Sequence, residues 1–304
     1  YAEAQSRLEG ILALNPADAQ AHALLGQRFV AAEEIPKAIE ELKKAIELDR
    51  SRLEPYTVLA AVYLGAGRPA EAEAVISKAA EANPASVQAR LNQAEFYVTQ
   101  GTVAKAEVSV RSAASLDSRS TAVQLMLGRI YALTGRLAEA EKVFAALKTA
   151  APDDSQAYLA LGEFYASTSQ KEKAAAEFSS LAKSKPGNTL VRRRLAETLE
   201  ELGKIDEAMA LNQELLKATP EDPAVVRLNG RLLMAKHRYQ DAVTALQKSV
   251  QLEPGSASAH YLLGTAQNAQ GLSSSAKASF TRALQLEPRS TVAAAALARL
   301  AGEG

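Results

Sequence analysis

The chain has 304 residues, with 35 basic and 35 acidic side chains, three histidines and no cysteine. Balanced charge offers no field to draw nucleic acid or an anionic membrane surface, and the lack of cysteine excludes a disulfide framework and thiolate chemistry. No apolar run approaches the length of a membrane span, and no stretch reads as a signal peptide, so any membrane contact is expected to be indirect.

Read along the chain, the spacing predicts a lone helix over 1–16, eight two-helix units over 19–290 and a last lone helix over 291–301. One alanine recurs every 34 residues: Ala4, Ala38, Ala72, Ala106, Ala140, Ala174, Ala208, Ala242 and Ala276. Twelve residues after it comes Pro16, Pro84, Pro152, Pro186, Pro220, Pro254 or Pro288, with Arg50 and Ser118 in the other two units. Proline cannot continue a helix, so it closes the second helix of each unit. Two residues later, Asp18, Ser86, Ser120, Asp154, Asn188, Asp222, Ser256 and Ser290 are expected N-caps, with Arg52 the exception. The first helices carry a small residue at one register, Gly26, Ala60, Ala94, Gly128, Gly162, Ala196, Gly230, Gly264 and Ala298. Three residues on lie Phe29, Tyr63, Tyr97, Tyr131 and Tyr165, then Leu199, Leu233 and Gln267. Gly67, Gly101, Gly135, Gly203 and Gly271 mark the turn to the second helix, where a left-handed residue is needed. The small residue is expected to face the alanine, so that two backbones approach closely.

A strict 34-residue period of two helices implies one unit stacked many times. The pattern resembles the tetratricopeptide repeat (TPR). Residues 155–188 carry its signature most fully, in Tyr158, Leu161, Gly162, Tyr165, Ala174, Phe178 and Pro186. The resemblance covers the whole chain. It implies an all-α fold, a right-handed superhelical α-solenoid running as a single array over 1–304, and a non-catalytic scaffold that holds a protein or peptide segment in its groove.

Nothing in the chain points to a cofactor, a metal or a catalytic centre. His22, His237 and His260 lie far apart in the sequence, against a zinc site or a histidine-based triad. The aspartates sit at turns and helix starts, where capping accounts for them. Gly65, Gly67 and Ala70 mimic part of a dinucleotide fingerprint, but a helix precedes them rather than a strand.

By the resemblance, the second, fifth, ninth and twelfth residues of each first helix line the groove. Those of the first three units are nearly uncharged, as in Gln20, Ala23, Gln27, Val30, Thr57, Ala61 and Leu64, with Glu54 and Glu95 the charged members; charge of both signs begins at Arg129 and continues through Glu163, Arg193, Glu197, Glu200, Arg227 and Arg231. Arg129, Glu163, Arg193, Glu197, Arg227 and Arg231 are therefore the candidate partner-binding residues, suited to an acidic segment because a guanidinium grips a carboxylate bidentately. In the competing reading the charges satisfy one another, as Glu95–Arg129–Glu163 and Glu197–Arg231. Arg193 and Arg227 have no opposite charge at their own register in the next unit, though Glu197 is one turn from Arg193, and these two are the first choice for a partner. No unit pairs lysine at its fifth position with asparagine at its ninth, so the carboxylate clamp of chaperone-binding TPRs is not expected. Asn92 alone at the sixth position does not make the asparagine ladder of the sugar-transferase type.

The ends are apolar, since the last helix carries only Arg299 as a charged group, and the chain opens at Tyr1 in mid-repeat. This reads as part of a longer protein, with self-association through the ends as the alternative. A TPR arm of a larger bacterial envelope export or transferase system is the rival function, so the expected compartment is the cytoplasm or a bacterial periplasm. Gln93, Ser118, Asn212 and Asn229 depart from the packing registers, and the fastest internal hydrogen exchange is expected near 87–118 or 205–235.

Overall fold

The computed structural model of the chain describes residues 2–302, with side chains over 3–300; Tyr1 and residues 303–304, part of the expected ends, lie outside the described residues. Among the described residues the regular structure is eighteen α-helices. After α1 (Ala2–Leu14) the helices alternate between first and second type: α2 (Ala19–Ala31) and α3 (Ile35–Leu48), α4 (Leu53–Gly65) and α5 (Pro69–Ala82), α6 (Val87–Thr99) and α7 (Val103–Leu116), α8 (Thr121–Leu133) and α9 (Leu137–Ala150), α10 (Ser155–Ser167) and α11 (Lys171–Ser184), α12 (Thr189–Glu201) and α13 (Ile205–Ala218), α14 (Pro223–Ala235) and α15 (Tyr239–Leu252), α16 (Ala257–Ala269) and α17 (Ser273–Leu286), then α18 (Thr291–Gly302). They form two compact units, residues 1–160 and 161–304. Within each unit, consecutive helices pack on one another, as α2 on α3 and α3 on α4 in the first, and α12 on α13 and α13 on α14 in the second.

The turns explain the regular helix lengths. First helices start where Asp18, Ser86, Asn188, Asp222 and Ser256 accept backbone N–H groups of the first turn. Arg52 caps nothing through its side chain, and neither does Ser120. Asp117, three residues upstream, instead holds the loop before α8, accepting the N–H groups of Arg119 (2.9 Å) and Ser120 (3.1 Å). Each first helix ends in a left-handed residue, at Gly67, Gly101, Gly135, Gly203 and Gly271, and also at Glu33, Ser169 and His237 in the same register. The N–H after that residue reaches back to the helix, as from Arg68 to Tyr63 O (2.8 Å) and from Arg136 to Tyr131 O (2.8 Å), which satisfies carbonyls the helix end would leave free.

Packing corrects one expectation. The recurring alanines from Ala38 to Ala276 are fully buried, but Ala4, on α1, is exposed. The small residue of the first helix does not face the alanine. It faces the large residue four positions after it: a Cβ at Gly26 would lie 2.7 Å from Leu42 Cγ, at Gly128 2.5 Å from Phe144 Cζ and at Gly162 2.5 Å from Phe178 Cε1. The glycine makes room for that side chain.

In unit 1 the aromatic register carries a second function. Lys105 lies over the Tyr97 ring and bonds Glu73 of the preceding repeat (2.5 Å), which also accepts from the Tyr97 hydroxyl (3.1 Å). Arg136 lies 4.4 Å from the Tyr131 ring centroid and grips Glu107 with two hydrogen bonds (3.0 and 2.6 Å). Each clasp joins neighbouring repeats by cation–π and ionic contact, and the hydrogen bonds from Arg136 hold the Glu107 carboxyl below its ordinary range.

The polar departures resolve differently. Gln93 accepts a hydrogen bond from Ser109 Oγ (3.1 Å), so that position is satisfied. The carbonyl of Ser118 accepts from the Gln124 amide (2.7 Å). Asn212 is fully buried, and neither polar atom of its amide has a partner. His22 is buried too, and both ring nitrogens are engaged, Nδ1 with Glu41 (2.5 Å) and Nε2 with the Pro16 carbonyl (3.0 Å), which ties the loop before α2 to α3.

Candidate functional site

The candidate groove side chains come from the second, fifth, ninth and twelfth positions of the first helices and repeat with the 34-residue period. Several at the fifth position, Ala23, Leu91 and Leu159, are buried, and the polar ones bridge neighbouring first helices within a unit.

In unit 1 the face is mostly neutral. Arg52 donates to Gln20 Oε1 (3.0 Å), Gln27 to Glu54 (2.5 Å) and Gln88 to Asn92 (2.7 Å). Arg129 on α8 meets Glu95 on α6 at 2.6 Å, both half exposed.

Unit 2 gathers the charge. Arg193 and Arg194 on α12 both bond Glu197 one turn along the helix, each at 3.0 Å. Arg194 also reaches Glu163 on α10 at 2.6 Å, so one guanidinium joins two carboxylates. Arg231 on α14 pairs with Glu200 at 2.6 Å rather than with Glu197. Glu197, at the matching register, is already held by Arg193 and Arg194, and Glu200 lies almost one turn further along the same helix. Arg227 pairs with Glu253 at the end of α15 (2.9 Å). Arg193 and Arg227, without an opposite charge at their own register, each have a partner: Arg193 the Glu197 one turn along its own helix, and Arg227 the Glu253 that follows the second helix of its own repeat.

Arg194 is the residue that sequence reading missed. It stands at the sixth position, outside the four groove registers, but the run Arg192-Arg193-Arg194 was a signal that one cation would turn toward the face. Among the described residues no group of three or more His, Asp or Glu could hold a metal ion, and no helix is long and apolar enough to cross a membrane.

Burial pushes the Glu200 carboxyl above its ordinary range, against the opposing pull of Arg231. A carboxyl with a raised folded-state value binds its proton more tightly when folded. Its stabilising contribution is complete below the unfolded value and is lost as pH rises through the folded one. Glu200→Gln should therefore gain stability relative to wild type as pH rises from about 4 to 7. Urea unfolding of both chains across that range tests this, and a difference that stays constant or moves the other way would sink it.

Models of the tetratricopeptide repeat match residues 1–52, 57–117, 97–164, 169–232 and 233–300. No curated protein sequence matches the chain. Among solved structures, yeast Tom70 is similar with a TM-score of 0.58 and 15% identity, over 98% of this chain and 84% of that one. A tetratricopeptide repeat protein from Parabacteroides merdae is similar with a TM-score of 0.53 and 16% identity, over 93% and 98%. The structure of the APC/C hetero-tetramer Cut9–Hcn1 is similar with a TM-score of 0.55 and 14% identity; 97% of this chain spans 58% of the matched one. At such identities the structures agree in fold alone, an α-solenoid of helix-turn-helix units. The repeat models cover nearly the whole sequence, and the chain belongs to the tetratricopeptide repeat family.

Proposed function

We propose that the chain is a non-catalytic scaffold that holds a segment of a partner protein in the groove lined by its first helices, and so assembles a complex. The 304 residues act in this reading as one continuous array. A scaffold role agrees with the family and with a neighbour that belongs to a hetero-tetramer. Arg129, Glu163, Arg193, Glu197, Arg227 and Arg231 are the proposed contacts, joined by Arg194, which bridges Glu163 and Glu197.

The observation that carries this reading is the charged lattice of unit 2. It ties neighbouring first helices through half-buried carboxylates, and two of its arginines stand further out than a carboxylate they hold. Arg194 is 40% exposed against 20% for Glu197, and Arg231 36% against 17% for Glu200. The outer part of the Arg194 guanidinium is therefore available to an acidic segment; Arg231 offers its terminal nitrogens, since its Nε is buried without a partner, and the paired glutamates hold both side chains in place. Arg227 is the reverse, with its partner Glu253 the outer group, so it contributes less. A fluorescent glutamate-rich peptide, titrated at low salt against wild type and Arg194→Ala/Arg231→Ala, is expected to bind the variant about tenfold more weakly. Equal binding by both chains would remove this reading.

A further inference from the structure

We propose that the first two repeats carry a separate recognition surface, for a segment that presents clustered leucine, isoleucine or valine side chains beside a lysine or arginine. This rests on the reading of the groove as a protein-binding face, and it specifies a chemistry different from that of unit 2.

The surface is a cleft of about 420 Å³ at the junction of repeats one and two, near the turns between their helices. Val30 from the end of α2, Ile35 from the start of α3, and Val58, Ala61 and Val62 from α4 line it, with Gly65 and Ala66 closing one end. No polar side chain contributes to that lining. Clefts of this size, about 300–1,000 Å³, suit several apolar side chains held together. The junction is singular within unit 1. One repeat later, the residues matching Val58, Ala61, Gly65 and Ala66 are Asn92, Glu95, Thr99 and Gln100, and at the next junction Ala61 and Ala66 become Arg129 and Thr134. The repeat fold therefore does not require an aliphatic cleft there, and this pair of repeats has one.

Charge identifies the neighbour of the aliphatic group. Glu54 stands one turn from Val58 on α4, and its carboxylate accepts a hydrogen bond from the neutral Gln27 amide (2.5 Å). A neutral donor satisfies an oxygen but does not compensate the charge, and a cation next to the partner's aliphatic anchors would do so. An acidic segment would meet repulsion here. The partner is thus of opposite character to that expected at Arg194 and Arg231.

The test is to pan a random dodecapeptide phage library on the whole chain and measure the enriched peptides, as soluble fluorescent conjugates, against wild type and three variants. Ala61→Arg blocks the mouth of the cleft. Ala61 is exposed, and arginine occupies the same register at Arg129 and Arg231, so the fold accommodates it. Glu54→Gln removes the charge alone. Arg194→Ala/Arg231→Ala reports on unit 2. The expected result is a set of peptides combining aliphatic and basic residues, weakened about tenfold or more by Ala61→Arg, as for the loss of an anchor pocket, and several-fold by Glu54→Gln. Peptides insensitive to Ala61→Arg but weakened by Arg194→Ala/Arg231→Ala would overturn this inference and leave the scaffold reading standing. Peptides insensitive to every variant, or no enrichment at all, would overturn both. Light scattering of the chain alone covers the remaining occupant: a concentration-dependent mass abolished by Ala61→Arg would mean that a second copy fills the cleft, which also overturns it.

Discussion

Gly162→Leu is expected to destabilise unit 2 by about 3 kcal/mol, the upper part of the range for overpacking a tight core. A Cβ at this position alone would stand 2.5 Å from Phe178 Cε1 and 2.8 Å from Cζ. The Phe178 ring is almost wholly buried, so it has no free volume to move into. Leucine favours helix over glycine by about 1 kcal/mol, which offsets only part of the cost. The clash has a specific remedy already present in the chain. Where the first helix carries alanine in place of glycine, the facing residue is smaller or β-branched, as in Ala60 with Ile76 and Ala94 with Val110. Phe178→Ile alone should leave a void, and Gly162→Ala alone should strain the ring. Together they recreate the Ala60–Ile76 pair, so the double variant should be more stable than the sum of the singles by about 0.5–3 kcal/mol. Urea unfolding followed by helical circular dichroism on all four chains measures the coupling. Additive single effects would mean that the two positions do not constrain each other.

That pairing was present in the sequence and was not read from it. The registers gave the helices, the turns and the buried alanines, because each depends on local rules: helical spacing, proline after a helix, a left-handed residue at a turn. They did not say which register faces which, since that depends on how two helices cross. The combinations Gly26 with Leu42, Gly128 with Phe144 and Gly264 with Phe280, set against Ala60 with Ile76 and Ala94 with Val110, would have revealed the facing pair, because the small residue shrinks only where its partner is large. The binding face was half legible for a similar reason. Which residues point away from the packing follows from the period. How a long guanidinium chooses among several carboxylates does not, and Arg194 joins Glu163 to Glu197 from a register outside the four considered. Polar substitutions in the core were legible as exceptions, but their cost was not. Gln93 and Asn212 look alike in the sequence, yet Gln93 has Ser109 within reach and Asn212 has no hydrogen-bonding group.

Asn212→Val is accordingly expected to stabilise unit 2 by about 1–3 kcal/mol, the cost of a buried amide without hydrogen bonds. Valine matches the residue at the equivalent place in α7, where Val110 faces Ala94 just as Asn212 faces Ala196. Leucine should gain less: every repeat with leucine in this register, at Leu42 and Leu246, sets it against glycine, and the Cβ of Ala196 would crowd it. Adding Ala196→Gly to Asn212→Leu should then recover part of the difference, which separates a polar effect from a steric one. Repeat arrays open locally, so the gain should appear first in hydrogen exchange across α12 to α14, where residues 205–235 of the wild type are expected to exchange fastest among internal segments. The segment 87–118, equally suspect by sequence, should be protected by the Gln93–Ser109 bond. If Asn212→Val were instead neutral or destabilising, the amide must have a partner in solution, and a buried water with two or more protein contacts is the one group small enough to reach it. A slow valine variant beside a fast wild type would place the weak point of unit 2 at a single side chain, beside the first helices that carry Glu200 and Arg231.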